Sequence, residues 1–106
     1  MANNQEMNNI VEAIKQAVPT EKIYLFGSHA YGTPNEDSDY DFFMILPDDG
    51  MLPLEAMKQA RRALARVDRK TPVDILADYN SRFNERSYLN TLERKVANEG
   101  MLLYER

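Results

Sequence analysis

The chain has 106 residues, of which 43% are hydrophobic and 28% charged, with a net charge of −4 and no cysteine. Such a composition suits one soluble globular domain with its own core. It excludes a disulfide scaffold, a thiolate metal site and a cysteine nucleophile, and it counts against direct nucleic-acid binding, which calls for a basic surface.

The start, MANNQEMNN, lacks the charged and apolar regions of a signal peptide. No apolar run reaches membrane-spanning length. The chain therefore reads as cytoplasmic, as a single domain over residues 1–106, with residues 1–5 frayed. Met7, Ile10, Val11, Ile14 and Val18 recur at i, i+3, i+4 and i+7, which marks an amphipathic helix. Pro19 ends it. Lys22 to Phe26, KIYLF, is a short apolar and aromatic strand stopped by Gly27. Residues 27–38, rich in Gly, Ser, Pro and Asn, form a loop or a short helical turn. Tyr40 to Leu46, YDFFMIL, is the next strand. Beyond Asp41 it is apolar at every position, as in a central strand covered on both faces.

A turn follows over Pro47 to Gly50. Met57, Ala60, Leu64 and Val67 then repeat at helical spacing, with Arg61, Arg62 and Arg66 on other faces. Those arginines read as a solvated surface, or one that meets an acidic partner. Pro72 to Leu76, PVDIL, is a third strand. Ser81 caps a last helix whose stripe is Tyr88 or Leu89, Leu92 and Val96, with Gly100 as its stop. Met101 to Tyr104 supplies a final strand. The order predicts an α/β (α+β) sandwich with helices packed on a short sheet.

The acids around the second strand raise an electrostatic question. Asp39 and Asp41 point to the same face, about 7 Å apart along the strand at ~3.4 Å per residue. Like charges held so close repel, and a divalent cation would neutralise them. Mg²⁺ takes hard oxygen ligands, usually one or two carboxylates plus substrate phosphates. Asp74 interrupts the apolar VDIL, a position costly for a charge unless it is paired or metal-bound. Strands laid side by side would bring it near Asp39 and Asp41. Taken singly, each of these aspartates is equally well read as a solvated residue at a strand end. Asp37 reads as a turn residue.

Gly27 and Ser28 shift the balance. A Gly-Ser directly after a strand lets backbone N–H groups and a hydroxyl approach a phosphate, although the pair alone is a common turn. Gly-Ser, ten residues, Asp-x-Asp should arise by chance in roughly one chain in a thousand of this length. Two rival motifs fail. GSHAYGTP has Thr33-Pro34 where a P-loop requires lysine and a hydroxyl residue. The DSDYDF stretch imitates a calcium loop but carries Phe42 where that loop needs glycine.

FGSHAYGTPNEDSDYDF together with VDIL resembles the minimal nucleotidyltransferases (MNT proteins) of the DNA polymerase beta superfamily, over nearly the whole chain. The resemblance implies a polymerase-beta-like fold, a short mixed sheet packed with helices. It implies that Asp39 and Asp41 bind two Mg²⁺ ions, that Asp74 completes one metal site and helps deprotonate the attacking hydroxyl, and that Gly27 and Ser28 hold the β- and γ-phosphates of ATP. Where many relatives place an arginine after Gly-Ser or before the second glycine, this chain has His29 and Tyr31. His29 reads as a solvated loop residue and Tyr31 as loop packing.

Larger relatives carry a second domain that binds the acceptor, and here the elements use up the chain. The expected acceptor is therefore another protein. The resemblance names a HEPN-domain toxin, with this chain as the antitoxin that transfers AMP from ATP to a tyrosine. Two alternatives stand beside it. One is a non-catalytic antitoxin that neutralises its HEPN partner by contact. The other is a nucleotidyltransferase for a small molecule such as an aminoglycoside.

Overall fold

The computed structural model describes residues 4–32 and 38–106, so Asp37 lies outside the described residues. The first helix, α1 (Asn4–Ala17), is followed by β1 (Lys22–Phe26), the single turn α2 (Ser28–Tyr31) and β2 (Tyr40–Leu46). Then come α3 (Pro53–Leu64), β3 (Val73–Tyr79), α4 (Asn80–Arg86), α5 (Leu92–Glu99) and β4 (Met101–Glu105). The strands make one mixed sheet in the order β3-β2-β1-β4. β1 runs antiparallel to both β2 and β4, while β2 and β3 are parallel. The helical connection through α3 between β2 and β3 is what a parallel pair requires.

Alternation along the strands divides the core between the two faces of the sheet. Ile23 and Leu25 of β1, with Tyr40, Phe42, Met44 and Leu46 of β2, face α1 and α3. There they meet Ile10, Ile14, Ala56, Ala60 and Leu64. The apolar stripe read in the first helix is that buried face. Phe43 and Ile45 point the other way, into a smaller cluster with Phe83 of α4 and Val96 of α5, flanked by Tyr24 and Phe26. The Phe83 ring meets Phe43 edge-on at 5.1 Å and stacks on Tyr24 at 5.8 Å. β2 is buried on both faces, as its unbroken apolar run requires.

The last helical segment differs from the sequence reading. It is two short helices rather than one helix starting at Ser81. Thr91 breaks the run, because its hydroxyl accepts from the Arg94 N–H at 3.2 Å, starting α5 afresh. The same hydroxyl donates to the Arg86 carbonyl at 2.7 Å. The stripe is expected to start at Tyr88 or Leu89, but both sit in the connection and are exposed, Tyr88 by 85%. Glu93 is buried instead and pairs with Arg86, which ties α5 to α4. Ser81 does not cap with its side chain. Its N–H donates to Asp48 at 2.8 Å. Gly100 does end α5, but not by a left-handed turn, since its φ is −70°. A Cβ there would stand 2.5 Å from the Val96 carbonyl oxygen and 3.2 Å from that of Leu25, so the glycine chiefly lets α5 close its own last turn.

Candidate active site

Five residues singled out in the sequence gather at one end of the sheet. β1 ends and β2 begins there, with Phe26 opposite Asp41 in the ladder. On the other side of β2, the parallel register sets Asp41 directly beside Asp74, about 4.8 Å away at the backbone by ordinary strand spacing. Asp41 shares its face with Phe43 and Ile45. Asp74 flanks Ile75, which points to the opposite face, so it shares the face of Asp41. Asp39, two residues before Asp41, falls on that face by the same alternation. Asp74 is exposed, while Asp39 and Asp41 are half-buried.

Gly27 explains itself here. Its φ of 78° and ψ of −163° lie in a region essentially reserved for glycine. A Cβ on it would also run into the Asp41 carboxylate, 3.1 Å from Cγ and closer still to Oδ2. The backbone of the Gly-Ser turn is thus packed directly against the carboxylate of the Asp-x-Asp pair. α2 starts at Ser28. Its first turn closes through bonds from Ala30 and Tyr31 N–H to the Gly27 carbonyl, at 3.0 and 3.1 Å. The N–H groups of Ser28 and His29 have no acceptor within so short a helix.

The electrostatics answer the question raised by the sequence. Burial first, then the charges of Asp74 and Asp39, push the Asp41 carboxyl above its ordinary value, with His29 opposing. None of the ion pairs among the described residues includes Asp39, Asp41 or Asp74. Among the described residues no lysine or arginine pairs with these acids, and His29 offsets the repulsion only in part. Among the described residues the acids do not close into a three-ligand cluster, as expected of like charges on adjoining strands. The donor set still fits Mg²⁺. It offers only hard carboxylate oxygens, and Mg²⁺ ordinarily draws the rest of its shell from substrate phosphate and water.

His29 departs from its reading as a solvated residue. It is half-buried, its Nε2 3.2 Å from the Ser38 carbonyl oxygen and its ring 4.6 Å from that of Tyr40. It thus fastens the start of α2 to the start of β2. Tyr31 packs as expected of a loop residue, but its neighbour was not legible in the sequence. Lys95 of α5 places Nζ 4.9 Å from the Tyr31 ring centre. Arg61, Arg62 and Arg66 are exposed, as read.

The fold brings a Gly-Ser turn, an Asp-x-Asp strand and a third aspartate one strand over to one end of a mixed sheet. Residues 7–103 match the family of the nucleotidyltransferase domain, and the chain belongs to that family. Among curated proteins none matches the sequence. Solved structures with the same fold include a protein from Sulfolobus solfataricus assigned as a nucleotidyltransferase. It is 22% identical, with a TM-score of 0.64 over 96% of this chain and 79% of that one. A chain of a toxin–antitoxin crystal structure with AMP-PNP is 26% identical, with a TM-score of 0.61 over 93% of this chain and 73% of that one. A chain from a mutant of the toxin–antitoxin MntA–HpeT is 24% identical, with a TM-score of 0.64 over 100% of this chain and 75% of that one. These likenesses agree with the MNT-type resemblance and with the polymerase-beta-like mixed-sheet fold expected from it. Among the described residues no helix is long and apolar enough to cross a membrane.

Proposed function

We propose that the chain is a Mg²⁺-dependent nucleotidyltransferase that moves AMP from ATP to a tyrosine hydroxyl of a HEPN-type toxin and so acts as its antitoxin. The observation that carries this reading is the register of Asp41 beside Asp74, with Gly27 packed against the Asp41 carboxylate. It brings the phosphate-binding turn and the carboxylates to one sheet end. The toxin–antitoxin assemblies of the similar structures support the class of partner.

Asp39, Asp41 and Asp74 would hold the two Mg²⁺ ions, which when bound neutralise charge on the triphosphate. Gly27 and Ser28 orient the β- and γ-phosphates through backbone N–H groups and the Ser28 hydroxyl. The tyrosine oxygen forms a bond to the α-phosphorus as the bond to the bridging oxygen breaks, and pyrophosphate leaves. The hydroxyl proton passes to the Asp74 carboxylate, the most exposed of the three and so the one an incoming acceptor reaches first.

Calorimetric titration of Mg·ATP into wild type and an Asp39→Asn/Asp41→Asn variant tests the site. Wild type should bind in a Mg²⁺-dependent manner and the variant should not. Equal binding by both would contradict the assignment.

A further inference from the structure

The Gly-Ser turn leaves the nucleotidyltransferase reading one cation short. A triphosphate carries several negative charges, and the family resemblance places an arginine in this loop. This chain has His29 and Tyr31 there. His29 is held by the Ser38 carbonyl and packed on Tyr40. The loop itself therefore offers no free cationic side chain among the described residues.

The missing charge stands on another element. α5 packs on the sheet face that carries Phe43 and Ile45, which is also the face of Asp39, Asp41 and Asp74. From there Lys95 reaches across to α2 and sets Nζ 4.9 Å from the Tyr31 ring centre. Tyr31 is the last residue of the single turn that starts at Ser28. A helical rise of 1.5 Å per residue puts it only about 5 Å along the axis from Ser28. The ammonium takes part in none of the ion pairs among the described residues, although Glu99 lies one turn ahead on the same helix face. A cation–π contact to an exposed lysine is weak. It holds the ammonium beside the turn without neutralising it.

We infer that Lys95 is the triphosphate-binding cation of this site, contacting the β- or γ-phosphate of a nucleoside triphosphate held on Gly27 and Ser28, with Tyr31 as its perch. The inference rests on the nucleotidyltransferase reading and adds to it a contact from outside the Gly-Ser-x10-Asp-x-Asp motif. Lys95 touches only the leaving part of the nucleotide, so its loss should weaken triphosphate binding and leave monophosphate binding alone.

The test is calorimetric binding of Mg·ATP and of AMP to wild type, Lys95→Met and Lys95→Arg, with melting curves for all three. Lys95 is exposed, so both variants should melt with wild type. Losing a charged hydrogen bond to phosphate should weaken Mg·ATP binding in Lys95→Met on the order of tenfold to a hundredfold. AMP binding should stay within about twofold, and Lys95→Arg should recover most of the Mg·ATP affinity. Equal Mg·ATP affinity in wild type and Lys95→Met overturns the role of Lys95 while the nucleotidyltransferase reading stands. Parallel losses for Mg·ATP and AMP overturn it too, since they mark a structural effect. A wild type that binds no triphosphate overturns the nucleotidyltransferase reading and this inference with it.

Discussion

Replacing Gly27 with alanine probes the joint between the Gly-Ser turn and the carboxylates. The backbone stands at φ 78° and ψ −163°, where a residue with a side chain is strained by about 1–3 kcal/mol. The new Cβ would lie 3.1 Å from Asp41 Cγ, inside the ordinary contact distance of 3.4 Å, and would overlap Oδ2. The obstacle is the end of a rotatable side chain, so the fold survives while the Asp41 carboxylate retreats by about 1 Å. A displacement of that size in a catalytic group costs about a hundredfold in rate. Gly27→Ala should therefore unfold in urea with a loss of about 1–3 kcal/mol and slow AMP transfer about a hundredfold, read as labelled AMP appearing on the partner. Adding Asp41→Ala removes the overlap but not the backbone strain, so the stability loss should persist in that background. A Gly27→Ala protein that is as stable and as fast as wild type would refute the reasoning.

Three further outcomes follow. The Asp39→Asn/Asp41→Asn variant, without Mg²⁺ at neutral pH, should be at least as stable as wild type, because it removes like-charge repulsion; calorimetric melting would reveal any loss that contradicts this. Asp74→Asn should keep Mg·ATP affinity within about tenfold but lose on the order of a hundredfold or more in transfer rate, the scale for a general base; equal losses in both would make it a primary metal ligand. Glu6 accepts from the Lys70 N–H and the Thr71 hydroxyl, both at 2.8 Å, which lowers its carboxyl pKa below the ordinary 4.5. A carboxylate with a depressed folded value stabilises the fold above its unfolded pKa and loses that contribution as pH falls through the folded one. Wild type should thus exceed Glu6→Gln by about 1 kcal/mol at pH 7, allowing for solvent screening, and the gap should narrow in urea melts as the pH falls below the ordinary carboxylate value of 4.5; a gap that is constant with pH would contradict it.

The legible parts of the chain were those with a local period. The stripe of α1, the apolar run of β2 and the strand–Gly-Ser turn each depend on neighbours a few residues away. The order of the strands placed Asp74 within reach of Asp39 and Asp41, but the register that sets it beside Asp41 comes from the parallel ladder, which no local pattern encodes. The split of the final helix has no mark in the apolar pattern, because Leu89, Leu92 and Val96 keep helical spacing across a break that the Thr91 cap enforces. Strand β3 continues to Tyr79, beyond the expected Leu76. At the sheet edge it tolerates Asp78, which pairs with Arg82 at 3.1 Å. The contact of Tyr31 with Lys95 joins residues 64 apart and becomes visible only when α5 lands on the sheet.

The central claim is that carboxylates at this sheet end transfer AMP to a partner protein. Its most direct measurement is the intact mass of a cognate HEPN-type partner after incubation with this protein, Mg²⁺ and ATP. The expected result is a gain of about 329 Da per transferred AMP, the mass left when ATP loses pyrophosphate, lost on mutation of Asp39 and Asp41 to asparagine. A partner that binds tightly yet keeps its mass with every triphosphate would contradict the claim and leave inhibition by contact as the function.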